Sequence, residues 1–146
     1  MLVLDTSVFV DAIIPKVAER HNKAFGLIRI ASKHNLALYE PKVLMIELAG
    51  VLSRYKTREI VISHISRITG FINILDYSEI HDTAYDIALE TGCRAIDALF
   101  IATALVTDSK LISNDKVQIA NARRAGIDAY YLVEEYETVI EGIEGS

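Results

Sequence analysis

Short apolar runs alternate along this chain with longer stretches whose apolar positions recur at helical spacing. Leu2 to Leu4 read as a short buried strand, followed by a helical stretch after Asp11 and another around Glu19 to Lys33. Leu36 to Tyr39 read as a second strand, ended by Glu40 and Pro41. Leu44, Leu48, Val51, Leu52 and Tyr55 then mark one face of a helix, with Glu47 on its flank, one turn from Val43 and Val51. A polar helix from about Arg58 to Thr69 stops at Gly70, and Ile72 to Leu75 form a strand. A helix beginning near Ser78 and Glu79 reaches Thr91, where Gly92 offers a C-cap. Ala98, Ile101, Ala102 and Leu105 give the next helix an apolar stripe suited to packing on a sheet. Leu111 to Ser113 are a strand, Lys116 to Ala125 a helix capped by Gly126, and Asp128 to Val133 a final strand, with the acidic tail expected to fray after about Gly142.

Strands separated by helices predict an α/β fold, a three-layer α/β/α sandwich around a central, mainly parallel sheet. In such folds ligands gather beyond the carboxyl ends of the strands. Four acids stand near that rim inside otherwise apolar segments: Asp5 closes the first strand, Glu47 interrupts Val43–Leu52, Asp97 opens an uncharged helical run, and Asp115 follows Ser113 and Asn114. Burying an ionised carboxylate is costly unless a cation or hydrogen-bond donors compensate it. Each acid alone has a plainer reading: Asp5 and Asp115 as helix caps, Asp97 as a first-turn acid facing the helix dipole, Glu47 as half of an ion pair. Four together point to one divalent-cation site.

Hard oxygen donors without cysteine or histidine suit Mg²⁺ or Mn²⁺ rather than zinc. Such an ion relieves the mutual repulsion of the carboxylates, lowers the pKa of water and stabilises the charge that develops at phosphorus, which makes phosphodiester hydrolysis the natural reaction. Ser7 and Ser113, with Thr6 and Asn114, are placed to orient ligands or water. Asp11 also lies near the first strand, where a role at a helix start is the simpler expectation.

In sequence order, Val-Leu-Asp5-Thr-Ser, Ile-Glu47-Leu, Ala-Ile-Asp97-Ala-Leu-Phe-Ile-Ala-Thr-Ala and Leu-Ile-Ser113-Asn-Asp115 resemble the acidic quartet of PIN-domain nucleases, and the length is similar to the VapC toxin ribonucleases. The resemblance covers essentially the whole chain, which reads as one PIN-like domain over 1–146. It implies an endoribonuclease of single-stranded RNA that uses Mg²⁺ or Mn²⁺, is homodimeric, and in toxin members is restrained by an antitoxin. The chain departs from many relatives in carrying Lys116, Val117 and Gln118 where they have a further acid shortly after Asp115. Two alternatives differ in class. An aspartyl-phosphate phosphatase also places an aspartate after its first strand, but normally has a second acid where this chain has Ser7. A non-catalytic interaction module derived from a nuclease would bind no divalent ion.

Composition narrows the picture little further. Of 146 residues 51% are hydrophobic and 24% charged, a globular balance. The single cysteine, Cys93, admits no internal disulfide and fits a reducing, cytoplasmic setting; no apolar run approaches the roughly 18 residues of a membrane span. The net charge of −5 argues against nonspecific nucleic-acid binding, yet five glutamates lie after Val133 and the preceding residues balance 15 basic against 15 acidic side chains. Arg54, Lys56 and Arg58, with Tyr55 among them, and the pair Arg123–Arg124 are candidate phosphate contacts.

Overall fold

The computed structural model describes residues 1–145. Its strands are β1 (Leu2–Leu4), β2 (Tyr39–Pro41), β3 (Asn73–Leu75), β4 (Lys110–Ser113) and β5 (Ala129–Tyr131). Its helices are α1 (Thr6–Ile13), α2 (Ala18–Lys33), α3 (Val43–Leu52), α4 (Arg58–Thr69), α5 (Tyr77–Thr91), α6 (Ala95–Thr107), α7 (Lys116–Arg124) and α8 (Leu132–Glu144). β1 pairs with β4 and β4 with β5, while β2 pairs with β3; every pairing is parallel. A parallel bridge between Leu2 and Leu38 joins the two groups, giving the order β3-β2-β1-β4-β5. The chain turns outward in opposite directions from β1 and β4, so the switch point of the sheet lies between them.

Right-handed crossovers then send the helices to opposite faces. α1, α2, α3 and α8 pack on one another, and α6 lies against β1, β2 and β4 with α5 beside it. α7 joins the second group through Gln118, whose amide donates to the Asp97 carbonyl, and Arg124, which donates to the Thr91 carbonyl. Val3, Leu4, Leu111 and Ile112 are fully buried between the two helical layers, which is why these strands read as unbroken apolar runs. The sandwich expected from the sequence is the observed one.

Three local expectations need correction. The first helix starts at Thr6, not after Asp11: Asp5 accepts from the Thr6 N–H, and burial of Val8 and Phe9 overrides the strand preference of a Thr-Ser-Val-Phe-Val run. β2 is shifted toward the carboxyl end, so Glu40, expected with Pro41 to end the strand, is a fully buried residue within it. The last strand ends at Tyr131 and gives way to α8, which the sequence reading missed. α8 buries Leu132, Val139, Ile140 and Ile143 and is helical through Glu144, past the point where fraying was expected; Ser146 lies outside the described residues. Arg123 donates to the Ala129 carbonyl and pairs with Glu135, and Arg124 donates to the Thr91 carbonyl, so both exposed arginines also brace the fold. Among the described residues no helix is long and apolar enough to cross a membrane.

Candidate active site

At the carboxyl end of the sheet, over the switch point, a cleft of about 250 Å³ is lined by Asp5, Thr6, Ser7, Asp11, Glu47, Asp97 and Asp115, with Val10, Val51, Arg20 and Arg94 completing the wall. The four acids singled out in the sequence therefore share one cleft although they come from four different elements. β1 delivers Asp5, α3 delivers Glu47, the first turn of α6 delivers Asp97, and the end of β4 delivers Asp115.

Asp5 is only 8% exposed and is held on three sides. Its Oδ1 accepts from the Thr6 N–H at 2.8 Å, and its Oδ2 accepts from the Ser113 hydroxyl at 2.6 Å and from the Ser7 hydroxyl at 3.1 Å. Ser113 Oγ in turn accepts from the Asp115 N–H, and Ser7 Oγ from the Asn114 N–H. Each serine has one hydroxyl hydrogen, so the backbone after β4 fixes both hydroxyls as donors to Asp5. Ser7 belongs to the cleft wall, whereas Ser113 is fully buried and supports Asp5 from behind. Even so, burial pushes the Asp5 carboxyl up to about 6, with the nearby Glu47 adding to the rise against the hydrogen bonds from Ser113 and Ser7. The protein alone does not fully compensate this charge.

Glu47 accepts from the Thr6 hydroxyl, not from an arginine. Asp115 caps α7, its Oδ1 accepting from the Val117 and Gln118 N–H groups, while Oδ2 is clear of those bonds and the side chain still lines the cleft. Asp97 is 6% exposed and is covered by Arg94, whose Nε lies 3.0 Å from Oδ2 and whose Nη2 lies 3.4 Å from Oδ1. The plainer readings of Asp5, Asp97 and Asp115 are thus present alongside their convergence. Asp11, assigned to a helix start, instead lies on the second turn of α1 in the cleft wall, its Oδ2 held by Asn114 Nδ2 at 2.7 Å and Arg20 Nε at 3.1 Å.

Sequence reasoning missed Asp11, Arg20 and Arg94 as cleft residues. Once α1 starts at Thr6, Ser7 and Asp11 stand one turn apart on the same face, and Arg94 precedes Asp97 at the helical i,i+3 spacing, so both had a periodic signal. Arg20 had none. Below the rim, Glu40 accepts from the Leu4 N–H at 2.7 Å through one oxygen, while its other oxygen is buried without a partner; burial holds this carboxyl well above its ordinary range.

Five carboxylates against two guanidiniums leave the cleft wall strongly acidic, and all its anionic donors are hard oxygens, the set that suits Mg²⁺ or Mn²⁺. Among the described residues no group of three or more acidic, histidine or cysteine side chains is already drawn together around an ion position. Arg94 and Thr6 occupy carboxylate oxygens that a cation would use.

The family model of the PIN domain matches residues 2–124, most of the chain. The chain belongs to the PIN domain family. Solved structures share the fold of this PIN domain at low sequence identity. VapBC2 from Rickettsia felis, bound to a DNA fragment from its promoter, is 18% identical with a TM-score of 0.66, covering 88% of this chain and 96% of the other. PAE2754 from Pyrobaculum aerophilum is 16% identical with a TM-score of 0.65, covering 99% and 90%. FitAB bound to the IR36 DNA fragment is 15% identical with a TM-score of 0.67, covering 89% and 94%. No curated protein matches the chain by sequence.

Proposed function

We propose that this PIN domain is a Mg²⁺- or Mn²⁺-dependent endoribonuclease that hydrolyses phosphodiester bonds of single-stranded RNA, leaving 5′-phosphate and 3′-hydroxyl ends. The reading rests above all on the meeting of Asp5, Glu47, Asp97 and Asp115 in one cleft at the switch point of the sheet. Asp5, Asp97, Asp115 and Glu47 would hold the cation, which supplies Lewis-acid charge and lowers the pKa of water when bound. Asp5 is aimed by Ser7 and Ser113, which keep its oxygens from rotating as charge in the cleft changes. Asp115 is aimed by its cap bonds to α7. Val10 and Val51 border the acids with apolar surface, which strengthens electrostatics inside the cleft.

A toxin role with an antitoxin partner is supported by the fold-sharing neighbours, among them a toxin-antitoxin complex from Klebsiella pneumoniae. Such a partner would seat a basic side chain in the acidic cleft by the same electrostatics that favour a cation. The enzyme would act as a homodimer in the cytoplasm.

Asp97→Asn should abolish Mn²⁺-dependent cleavage of single-stranded RNA while circular dichroism and thermal unfolding remain those of the parent protein. Retained cleavage removes Asp97 from the mechanism. The Arg94–Asp97 pair favours a second reading, a non-catalytic interaction module, which calorimetry would support by finding no divalent-ion binding at all.

A further inference from the structure

Arg94 is a charged group of the cleft that faces solvent. It sits at the N-cap of α6 without a side-chain capping bond, and its side chain is 72% exposed while that of its partner Asp97 is 8% exposed. A solvent-facing cation therefore lies over a buried anion and engages both of its oxygens. Arg20 differs: its Nε bonds Asp11, which Asn114 holds in turn, so it is braced by a network rather than by one carboxylate.

We propose that Arg94 alternates between two anions: it neutralises Asp97 while the cleft is free of metal, and it binds an RNA phosphate once Asp97 is committed to the cation. This inference rests on the nuclease reading given above. An ion pair whose cation faces solvent is weak, because water screens it and a long side chain must be held still, so Arg94 yields Asp97 readily to a divalent ion shared among several carboxylates. The released guanidinium stays at the lip of the cleft, because its backbone is anchored at the amino end of a 13-residue helix whose free N–H groups also favour an anion. Its planar fork matches the oxygens of a phosphodiester as it matches a carboxylate. One side chain thus opposes metal entry and favours substrate entry.

The test uses Arg94→Gln and Arg94→Lys in the full chain, with Mn²⁺ binding read by calorimetry and cleavage of a fluorescent single-stranded RNA read at saturating Mn²⁺ and several salt concentrations. Arg94→Gln is expected to bind Mn²⁺ about fivefold more tightly, the size of factor that relief from one weak competing pair provides. Its kcat/KM is expected to fall at least roughly tenfold, with the salt dependence of log KM shallower by about 0.7 for one lost contact to a single strand. Arg94→Lys should fall between the two in metal affinity. A purely structural role would weaken metal and RNA together. Unchanged or weaker Mn²⁺ binding by Arg94→Gln, or unchanged kcat/KM at saturating Mn²⁺, overturns the proposal and leaves the nuclease reading intact. An unmodified protein that neither binds Mn²⁺ nor cleaves RNA overturns both.

Discussion

Asp5→Asn should make the metal-free protein more stable at neutral pH even though it removes a hydrogen-bonded acid from the candidate site. In the fold the Asp5 carboxyl keeps its proton up to about pH 6, because it is 8% exposed and faces Glu47; in the unfolded chain it releases the proton near its ordinary 3.8. The folded state therefore holds more protons than the unfolded state between those values, and stability falls as pH rises through that window. Above it the accumulated cost is about 3 kcal/mol. Asparagine escapes this cost but cannot accept from the Thr6 N–H and both serine hydroxyls through two oxygens, a loss of about 1 kcal/mol. The net expectation is a gain of about 2 kcal/mol at pH 7, several degrees in Tm for a chain of this length. Near pH 4 the gain should vanish or reverse, since the unfolded chain has only begun to release the proton there and little of the cost has accumulated. Urea unfolding in a chelator at pH 4, 5, 6 and 7 measures the difference directly. Adding Mn²⁺ at a hundred times its Kd should stabilise the parent protein by about 2.7 kcal/mol and the variant far less. A stability difference that stays constant between pH 4 and pH 7 would show that the benefit owes nothing to a buried charge.

Glu40 obeys the same sign with a different geometry. Burial raises its carboxyl above the ordinary 4.5, so parent stability should decline as pH rises above that value, and Glu40→Gln should flatten the decline in denaturation curves at pH 4.5 and 8. Glu40→Leu instead strands the Leu4 N–H, which should cost about 1–3 kcal/mol at pH 4.5 and less at pH 8, where the parent carries the burden of the buried charge. A Cβ at Gly26 would stand 2.5 Å from the Tyr136 hydroxyl but 3.4 Å from its ring carbon, so Gly26→Ala should lower Tm and Tyr136→Phe should restore most of the loss in the double variant. Additive effects in that cycle would contradict so close an approach of α2 to α8.

The sandwich was legible because buried parallel strands such as Val3–Leu4 and Leu111–Ile112 cannot alternate with polar residues. α8 was not, because Glu134, Glu135, Glu137 and Glu141 cover its outer face and mask the spaced apolar residues Leu132, Val139, Ile140 and Ile143. α1 was misplaced because β-branched residues beside a strand suggest more strand, and the cap that opens it is an acid expected to serve chemistry. Asp5 does both. The four acids stood out since each interrupts an apolar segment, which is a local property. Their partners are only partly local: Arg94 and Ser7 stand within three residues of Asp97 and Asp5, but Thr6 reaches Glu47 across 41 positions and Ser113 reaches Asp5 across 108, and only the fold brings those together. The burial of Glu40 was unreadable for a similar reason, since an acid next to a proline marks the end of a strand until the β2–β3 register carries the strand through it.

Whether Asp5, Glu47, Asp97 and Asp115 share a divalent ion can be seen by anomalous diffraction from crystals grown with Mn²⁺. A manganese peak is expected in the cleft, with carboxylate oxygens of Asp5 and Asp97 among its ligands and the Arg94 guanidinium turned away from Asp97. An empty cleft at saturating Mn²⁺, with Arg94 still seated on Asp97, would mean that the four acids do not form a metal site.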